Sequence, residues 1–252
     1  MPDKFWPNTH AGSTIVTTKV KICGLKHELA LEAALAGGAD YVGLVFFAPS
    51  PRAVALDRAR TLAAQARGAR VKVVALLVDS DDDLLASVVD AVEPDILQLH
   101  GCETPARAAE IRRRFGRQVM KAISVAGPGD AEAALRYADS ADLILFDAKA
   151  PAGATRPGGN GAQFPWDLLA DVKGKVAYML SGGLSPDNVA AAIRATGAGI
   201  VDVSSGVESR PGEKDPALIS RFLRVAKAPQ HQGLTAGASA ARQRFQREPG
   251  VL

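Results

Sequence analysis

Two ionisable side chains stand where short apolar runs end. The thiol of Cys23 closes Val20-Lys21-Ile22-Cys23, and the carboxyl of Asp147 directly follows Leu143-Ile144-Leu145-Phe146. At the ends of two strands in one repeating strand-helix chain, such groups can face each other across a site, one as base and one as acid. That pairing suggests proton transfer without metal or nucleotide. Gly24 follows Cys23 and lets the backbone turn sharply, leaving the thiol open to a ligand. Lys21 lies two residues earlier, on the same face of a strand, so its ammonium is expected to lower the thiol pKa and favour a thiolate base. Asp147 needs surroundings that raise its pKa to serve as the acid. The plain alternatives are a small buried hydrophobe for Cys23 and a loop cap for Asp147.

Other residues offer binding rather than proton transfer. Leu180-Ser181-Gly182-Gly183-Leu184-Ser185-Pro186 and Asp202-Val203-Ser204-Ser205-Gly206-Val207-Glu208 are small-residue turns after two late apolar runs. Their backbone N–H groups can approach an anion, helped by the positive end of a helix; ordinary tight turns are the alternative. Arg52, ending Phe47-Ala48-Pro49-Ser50-Pro51-Arg52, can clamp a carboxylate or can be a surface arginine. His100 in Gln98-Leu99-His100-Gly101 suits a base, a pocket wall or a structural role, and Cys102 reads as a bystander thiol. Residues 148–163, with Gly153, Gly158, Gly159 and Gly161, suit a lid over a site or a plain loop. No His, Cys or carboxylate cluster has metal-ligand spacing, and no Walker-type Gly-Lys-Ser or Gly-Lys-Thr occurs. Neither a metal nor a cofactor is expected.

The elements that must position these groups are written in an alternation. Eight short β-branched runs are expected as strands: Val20 to Cys23, Tyr41 to Phe46, Val71 to Leu77, Ile96 to Leu99, Val119 to Ile123, Leu143 to Phe146, Val176 to Leu180 and Ile200 to Val203. Most are continuously apolar, as parallel strands covered on both faces are. Alanine-rich helical stretches separate them, with stripes expected at Leu29, Ala33 and Ala36 in the first and Leu84, Leu85, Val88 and Val89 in the third. Asp81 and Asp82 mark the start of the third helix and Ser185-Pro186-Asp187 that of the seventh, while Gly37-Gly38 and Gly116 end the first and fourth. Eight such units close naturally into an α/β (β/α)₈ barrel with its site at the C-terminal strand ends, where the last two loops often hold a phosphate. An open doubly wound sheet competes, but it normally carries a glycine-rich turn after the first strand, and here only Gly24 is present.

Composition agrees with one soluble domain. The chain has 252 residues, 47% hydrophobic and 23% charged, enough to bury a core and too polar for a membrane protein. No apolar stretch approaches the ~20 residues of a membrane span, and residues 1–18 lack the apolar core of a secretory signal, so a cytoplasmic location is expected. The two cysteines then read as free thiols. The net charge of +3 owes much to Arg242, Arg244 and Arg247 near the end, and no basic stripe interleaves with aromatics, so no nucleic-acid partner is expected. Residues 1–18 and 228–252 are treated as extensions of a domain spanning 19–227.

Taken in order, several motifs resemble those of the phosphoribosylanthranilate isomerases, a family of tryptophan biosynthesis. They are Lys21-Ile22-Cys23-Gly24, Gly43-Leu44-Val45-Phe46 with Pro49-Ser50-Pro51-Arg52, Gln98-Leu99-His100-Gly101 and Phe146-Asp147. Further on come Pro157-Gly158-Gly159-Asn160-Gly161 leading to Phe164 and Trp166, Ser181-Gly182-Gly183-Leu184, and the stretch from Asp202 to Glu208. The resemblance spans Lys19 to about Val225. It implies a (β/α)₈ barrel that needs no cofactor and takes a small phosphorylated substrate, as a monomer or homodimer. It further implies Asp147 as general acid and Cys23 as general base, with Lys21, Arg52, His100 and Asp202 at the substrate. Arg52 falls at the anthranilate carboxylate and Asp202 near the amino-aryl end. Gly182, Gly183, Ser205 and Gly206 fall at the phosphate. Two other readings stand beside it: a histidine-pathway barrel that runs the same rearrangement with two aspartates, against which Cys23 argues, and a phosphate-binding barrel without catalysis.

Overall fold

The computed structural model describes residues 17–229. Eight parallel strands close a barrel in sequence order: β1 Lys19–Cys23, β2 Tyr41–Val45, β3 Lys72–Leu77, β4 Ile96–Leu99, β5 Gln118–Val125, β6 Leu143–Ala148, β7 Tyr178–Leu180 and β8 Ile200–Val203. β8 returns to β1, with Lys21 in register with Asp202. All eight expected strands are present, and β6 runs further than expected. Asp147 therefore belongs to the strand, paired with Ser124, rather than to the loop after it.

Outside the barrel lie α1 Glu28–Ala36, α2 Leu56–Gly68, α3 Asp82–Val92, α4 Pro105–Phe115, α5 Val189–Thr196 and α6 Pro216–Ala226. The connections after β5 and β6 hold 3₁₀ helices instead, Asp130–Tyr137 and Trp166–Val172. Their spacing explains this. Ala131, Ala134 and Tyr137 are buried in one, as are Leu169 and Val172 in the other, and a period of three puts such residues on one face of a three-residue turn.

Two further expectations are corrected. α1 buries Ala30, Leu31 and Ala34, while Leu29 is 72% exposed, so the buried stripe is rotated from the expected one by about a residue. α5 begins at Val189, because Asn188 Oδ1 accepts from Ser185 N at 2.8 Å and Ser185 Oγ accepts from Asp187 N at 3.3 Å. Those bonds turn residues 185–188 into a loop ahead of the helix. Asp81 caps α3 as expected, accepting from Leu84 N, and Gly116 ends α4 at φ +61°. Of the two extensions, only Thr17, Thr18, Ala228 and Pro229 fall within the described residues.

Most of the core lies between strands and helices. A second cluster, Tyr41, Val74, Ile96, Met120, Leu145 and Met179, fills the barrel interior. Because side chains alternate along a strand, residues two further on share the same inward face. Above Ile96 come Gln98 and His100; above Leu145 comes Asp147; above Met179 comes Ser181; above Ile200 comes Asp202. The interior thus climbs from an apolar plug through a polar layer to the rim.

Candidate active site

The rim surrounds an open cavity with about 740 Å³ of space, its mouth included. Cys23, Arg52, His100, Asp147, Gly182, Gly183, Asp202 and Ser205 all line it. Lys21 and Gly206, expected at the substrate and the phosphate, do not. Lys21 sits one layer below, fully buried, and its Nζ donates to Gln98 Oε1 at 2.7 Å and Asp202 Oδ1 at 3.0 Å. Gly206 sits behind the last turn. A Cβ there would collide with Leu184 O, so glycine lets the two late turns pack together.

Cys23 is 3% exposed and stands opposite Gly43, where a Cβ would lie 2.8 Å from its sulfur. Burial pushes the thiol above the ordinary thiol range; the Lys21 and Lys214 ammoniums pull the other way, and Asp202 reinforces the rise. The lowering expected from Lys21 is present but outweighed by desolvation, so the net direction of the thiol pKa is upward. Lys21 remains an ammonium. Burial alone would discharge it, but Asp202 and Cys23 more than compensate.

Asp147 faces His100. His100 Nε2 lies 3.3 Å from Asp147 Oδ2, Ala148 N donates to Oδ1 at 2.9 Å, and His100 Nδ1 lies 2.8 Å from Gln98 Nε2. The loop over residues 148–163 passes directly above. At Gly158 a Cβ would stand 2.6 Å from both Asp147 Oδ2 and His100 Nε2, so only bare backbone fits.

Arg52 is no surface arginine. Its Nε donates to Glu208 Oε1 at 2.7 Å and its Nη2 to Glu208 Oε2 at 2.9 Å, a bidentate pair, and Nη2 also reaches Gly159 O at 3.0 Å. Glu208 begins a short hairpin, β9 Glu208–Arg210 and β10 Glu213–Lys214, and from β10 Lys214 Nζ donates to Glu208 Oε1 at 2.6 Å. Burial favours a neutral Glu208, but the bonds from Arg52 and Lys214 outweigh it and hold the carboxyl below its ordinary range. Lys214 Nζ also donates to Ser204 O at 3.0 Å, and Ser204 Oγ to Cys23 O at 3.2 Å, which ties the clamp to the end of β1.

The side of the cavity that follows β7 and β8 is built of backbone. Gly182 and Gly183 sit at φ +88° and +62°, the left-handed region that favours glycine. Ser205 opens a 3₁₀ turn beside them. Among the described residues no cluster of three or more His, Cys, Asp or Glu side chains is placed to hold a metal ion.

A sequence model of the family described as N-(5'phosphoribosyl)anthranilate (PRA) isomerase matches residues 20–225. The chain belongs to the phosphoribosylanthranilate isomerase family. An isomerase of that name from Rhodopseudomonas palustris (strain BisA53) is 59% identical over 209 residues, covering 83% of this chain and 95% of the relative. One from Bradyrhizobium diazoefficiens is 56% identical over 211 residues, covering 84% and 94%. Among solved structures, the phosphoribosyl anthranilate isomerase of Thermotoga maritima superposes with a TM-score of 0.75 at 35% identity, covering 83% of this chain and 98% of its own. A phosphoribosyl anthranilate isomerase in complex with reduced 1-(o-carboxyphenylamino)-1-deoxyribulose 5-phosphate gives 0.72 at 33%, with the same coverage.

Sequence reasoning assigned no role to Gln98, Glu208, Lys214 or Arg156. Gln98 carried a signal, a polar residue inside the apolar run Ile96–Leu99. Arg156 lines the cavity with its Nε unpaired, and Glu208 pairs with Arg52 across 156 positions, which no local pattern reveals.

Proposed function

We infer that this protein converts N-(5-phosphoribosyl)anthranilate to 1-(2-carboxyphenylamino)-1-deoxyribulose 5-phosphate in tryptophan biosynthesis. The observation that carries this reading is one cavity lined by Cys23 from β1, Asp147 from β6, a clamped Arg52, and two left-handed glycines after β7. The rearrangement is an internal redox reaction in which C1 of the sugar is reduced and C2 oxidised, so no external oxidant enters. Asp147 protonates the ribose ring oxygen as the C1–O bond breaks, and the amine lone pair forms a cationic Schiff base at C1. Cys23 removes the proton from C2 to give an enolamine, which takes a proton at C1 and loses one from the C2 hydroxyl to become the ketone.

With its pKa raised by burial, Cys23 first releases its own proton to solvent, and the thiolate so formed takes the proton from C2. The Schiff base is a cation formed beside Cys23, and an added positive charge lowers a thiol pKa, as Lys21 and Lys214 already do. The cation also acidifies the C2 proton, so a modest base suffices. The Arg52 guanidinium receives the anthranilate carboxylate, while Gly182, Gly183 and Ser205 hold the phosphate. Gly206 supports them from behind and Asp202 borders the amino-aryl end. His100 works on Asp147 and Lys21 on the layer beneath. Two free cysteines, one of them exposed Cys102, suit a reducing cytoplasm.

The test is a fluorescence assay following consumption of freshly prepared phosphoribosylanthranilate. Cys23→Ala and Asp147→Asn are each expected to lower kcat by about 10²-fold or more while product binding persists, in line with the loss of a positioned acid or base. Turnover near the wild-type rate in either variant removes that residue from its role.

A further inference from the structure

A continuous chain of polar contacts crosses the barrel along the floor of the cavity, with Lys21 just below it. It runs from Ser181 Oγ to Asp202 Oδ2 at 3.1 Å, from Asp202 Oδ1 to Lys21 Nζ at 3.0 Å, and from Lys21 Nζ to Gln98 Oε1 at 2.7 Å. It continues from Gln98 Nε2 to His100 Nδ1 at 2.8 Å and from His100 Nε2 to Asp147 Oδ2 at 3.3 Å. The directions along it are forced. An ammonium has only donors, so the amide oxygen of Gln98 must face Lys21. The amide NH₂ then faces His100 Nδ1, which must accept, and a neutral imidazole accepting at Nδ1 carries its proton on Nε2. Gln98 is wholly buried, so water cannot substitute for either contact.

We propose that Gln98 is a positioning residue that holds His100 in the Nε2–H tautomer and so keeps the Asp147 carboxyl aimed at the substrate. The two tautomers have opposite consequences. With the proton on Nε2, His100 donates to Asp147 Oδ2 while Ala148 N–H donates to Oδ1, and the carboxyl plane is pinned at both oxygens. With the proton on Nδ1, a ring lone pair faces the acid. It would accept the proton that has to reach the ribose ring oxygen, and Asp147 would point at His100 instead of the substrate. The Lys21 charge, held by Asp202, is what makes the choice. The carboxylate on β8 thereby sets the state of an acid on β6 through three intervening side chains.

This inference rests on Asp147 being the general acid, but its first test does not. In the full-length protein labelled with ¹⁵N, ring-nitrogen NMR at neutral pH is expected to show His100 protonated on Nε2 and bare on Nδ1, assigned by loss of its signals in His100→Asn. A bare Nε2, or protons on both nitrogens, overturns the proposal without any variant. Gln98→Glu then supplies a carboxylate that still pairs with Lys21 but accepts a hydrogen bond from Nδ1–H. The expected result is a protonated Nδ1, with kcat down by about 10- to 10³-fold, below the roughly 10⁴-fold cost of a wrong histidine tautomer in a catalytic triad, and KM changed less than kcat. Nδ1 protonation with unchanged kcat refutes the positioning role. Failure of the acid assignment is read separately: Asp147→Asn would stay active while wild-type His100 kept its Nε2 proton.

Discussion

Replacing Glu208 by glutamine tests whether the Arg52 clamp is an energetic feature or merely a contact. Side chains of Glu208 and Arg52 are 4% and 5% exposed, and that of Lys214 is 2% exposed. Glu208 accepts from Arg52 Nε and Nη2, from Lys214 Nζ and from Gly212 N. Glu208→Gln keeps the shape but removes the charge, leaving two buried cations side by side, and its amide NH₂ must point a donor at one of them. Removing one partner of a buried ion pair costs about 3–5 kcal/mol, because the remaining charge stays desolvated. For a domain of this size each kcal/mol lowers Tm by about 2–4 °C, which gives a fall of about 6–20 °C. On the role proposed for Arg52, release from its bidentate anchor should also cost it its aim at the substrate carboxylate. A loss of about 1–2 kcal/mol in affinity corresponds to a rise in KM of about 5- to 30-fold. Thermal melts followed by circular dichroism give the first number and steady-state fluorescence the second. The sign of the pH dependence follows too. Glu208 is depressed below its ordinary value of 4.5, so the clamp stabilises fully above that pH and loses its contribution as pH falls through the lower folded value. Glu208→Gln should flatten that acid limb. A Tm within about 2 °C of wild type together with an unchanged KM would refute the argument, since surface-like pairs alone contribute so little.

Four further outcomes are expected. The pH profile of kcat/KM should rise with pH and inflect above the ordinary thiol value of 9.0, because burial raises the pKa of Cys23, the base proposed; a limb inflecting below that value would mean a resting thiolate. Arg52→Ala should raise KM more than it lowers kcat, and a loss confined to kcat would place Arg52 in the chemistry instead. Gly206→Ala pushes a methyl into Leu184 O and should spread the two late turns, weakening inhibition by inorganic phosphate, with unchanged inhibition counting against their joint role. Lys121→Met leaves Glu103, 2.7 Å away and nearly buried, without its cation, and should destabilise by about 3–5 kcal/mol in urea titrations; a midpoint equal to wild type would show that the pair contributes nothing.

The barrel was legible because parallel strands buried on both faces are mainly apolar, and eight such runs, a few with one polar interruption, are spelled out in the chain. Helix details were less so. Whether alanine-rich residues form an α turn or a 3₁₀ turn, and which stripe they bury, depends on the neighbour: Leu29 and Leu31 are the same residue type, and packing against the barrel makes one exposed and the other buried. Cys23, Asp147 and the late glycine turns stood out because an ionisable or small residue at an apolar strand end has few other reasons to be there. Gln98 was visible as a polar interruption, yet its partners were not.

Residue type and order were enough to place Cys23 and Asp147 on one rim, since strand ends in a closed barrel share one face. Their protonation was another matter. Lys21 is two residues from Cys23 along the strand, which by itself predicts a thiolate; full burial of the thiol, and an Asp202 brought beside it by barrel closure, reverse that expectation. Charges and desolvation act through space, and Asp202, which pairs with Lys21, lies 181 positions from it in the chain. The same holds for Arg52, a lone cation in the sequence and a clamped one once barrel closure brings Glu208, 156 positions on, beside it.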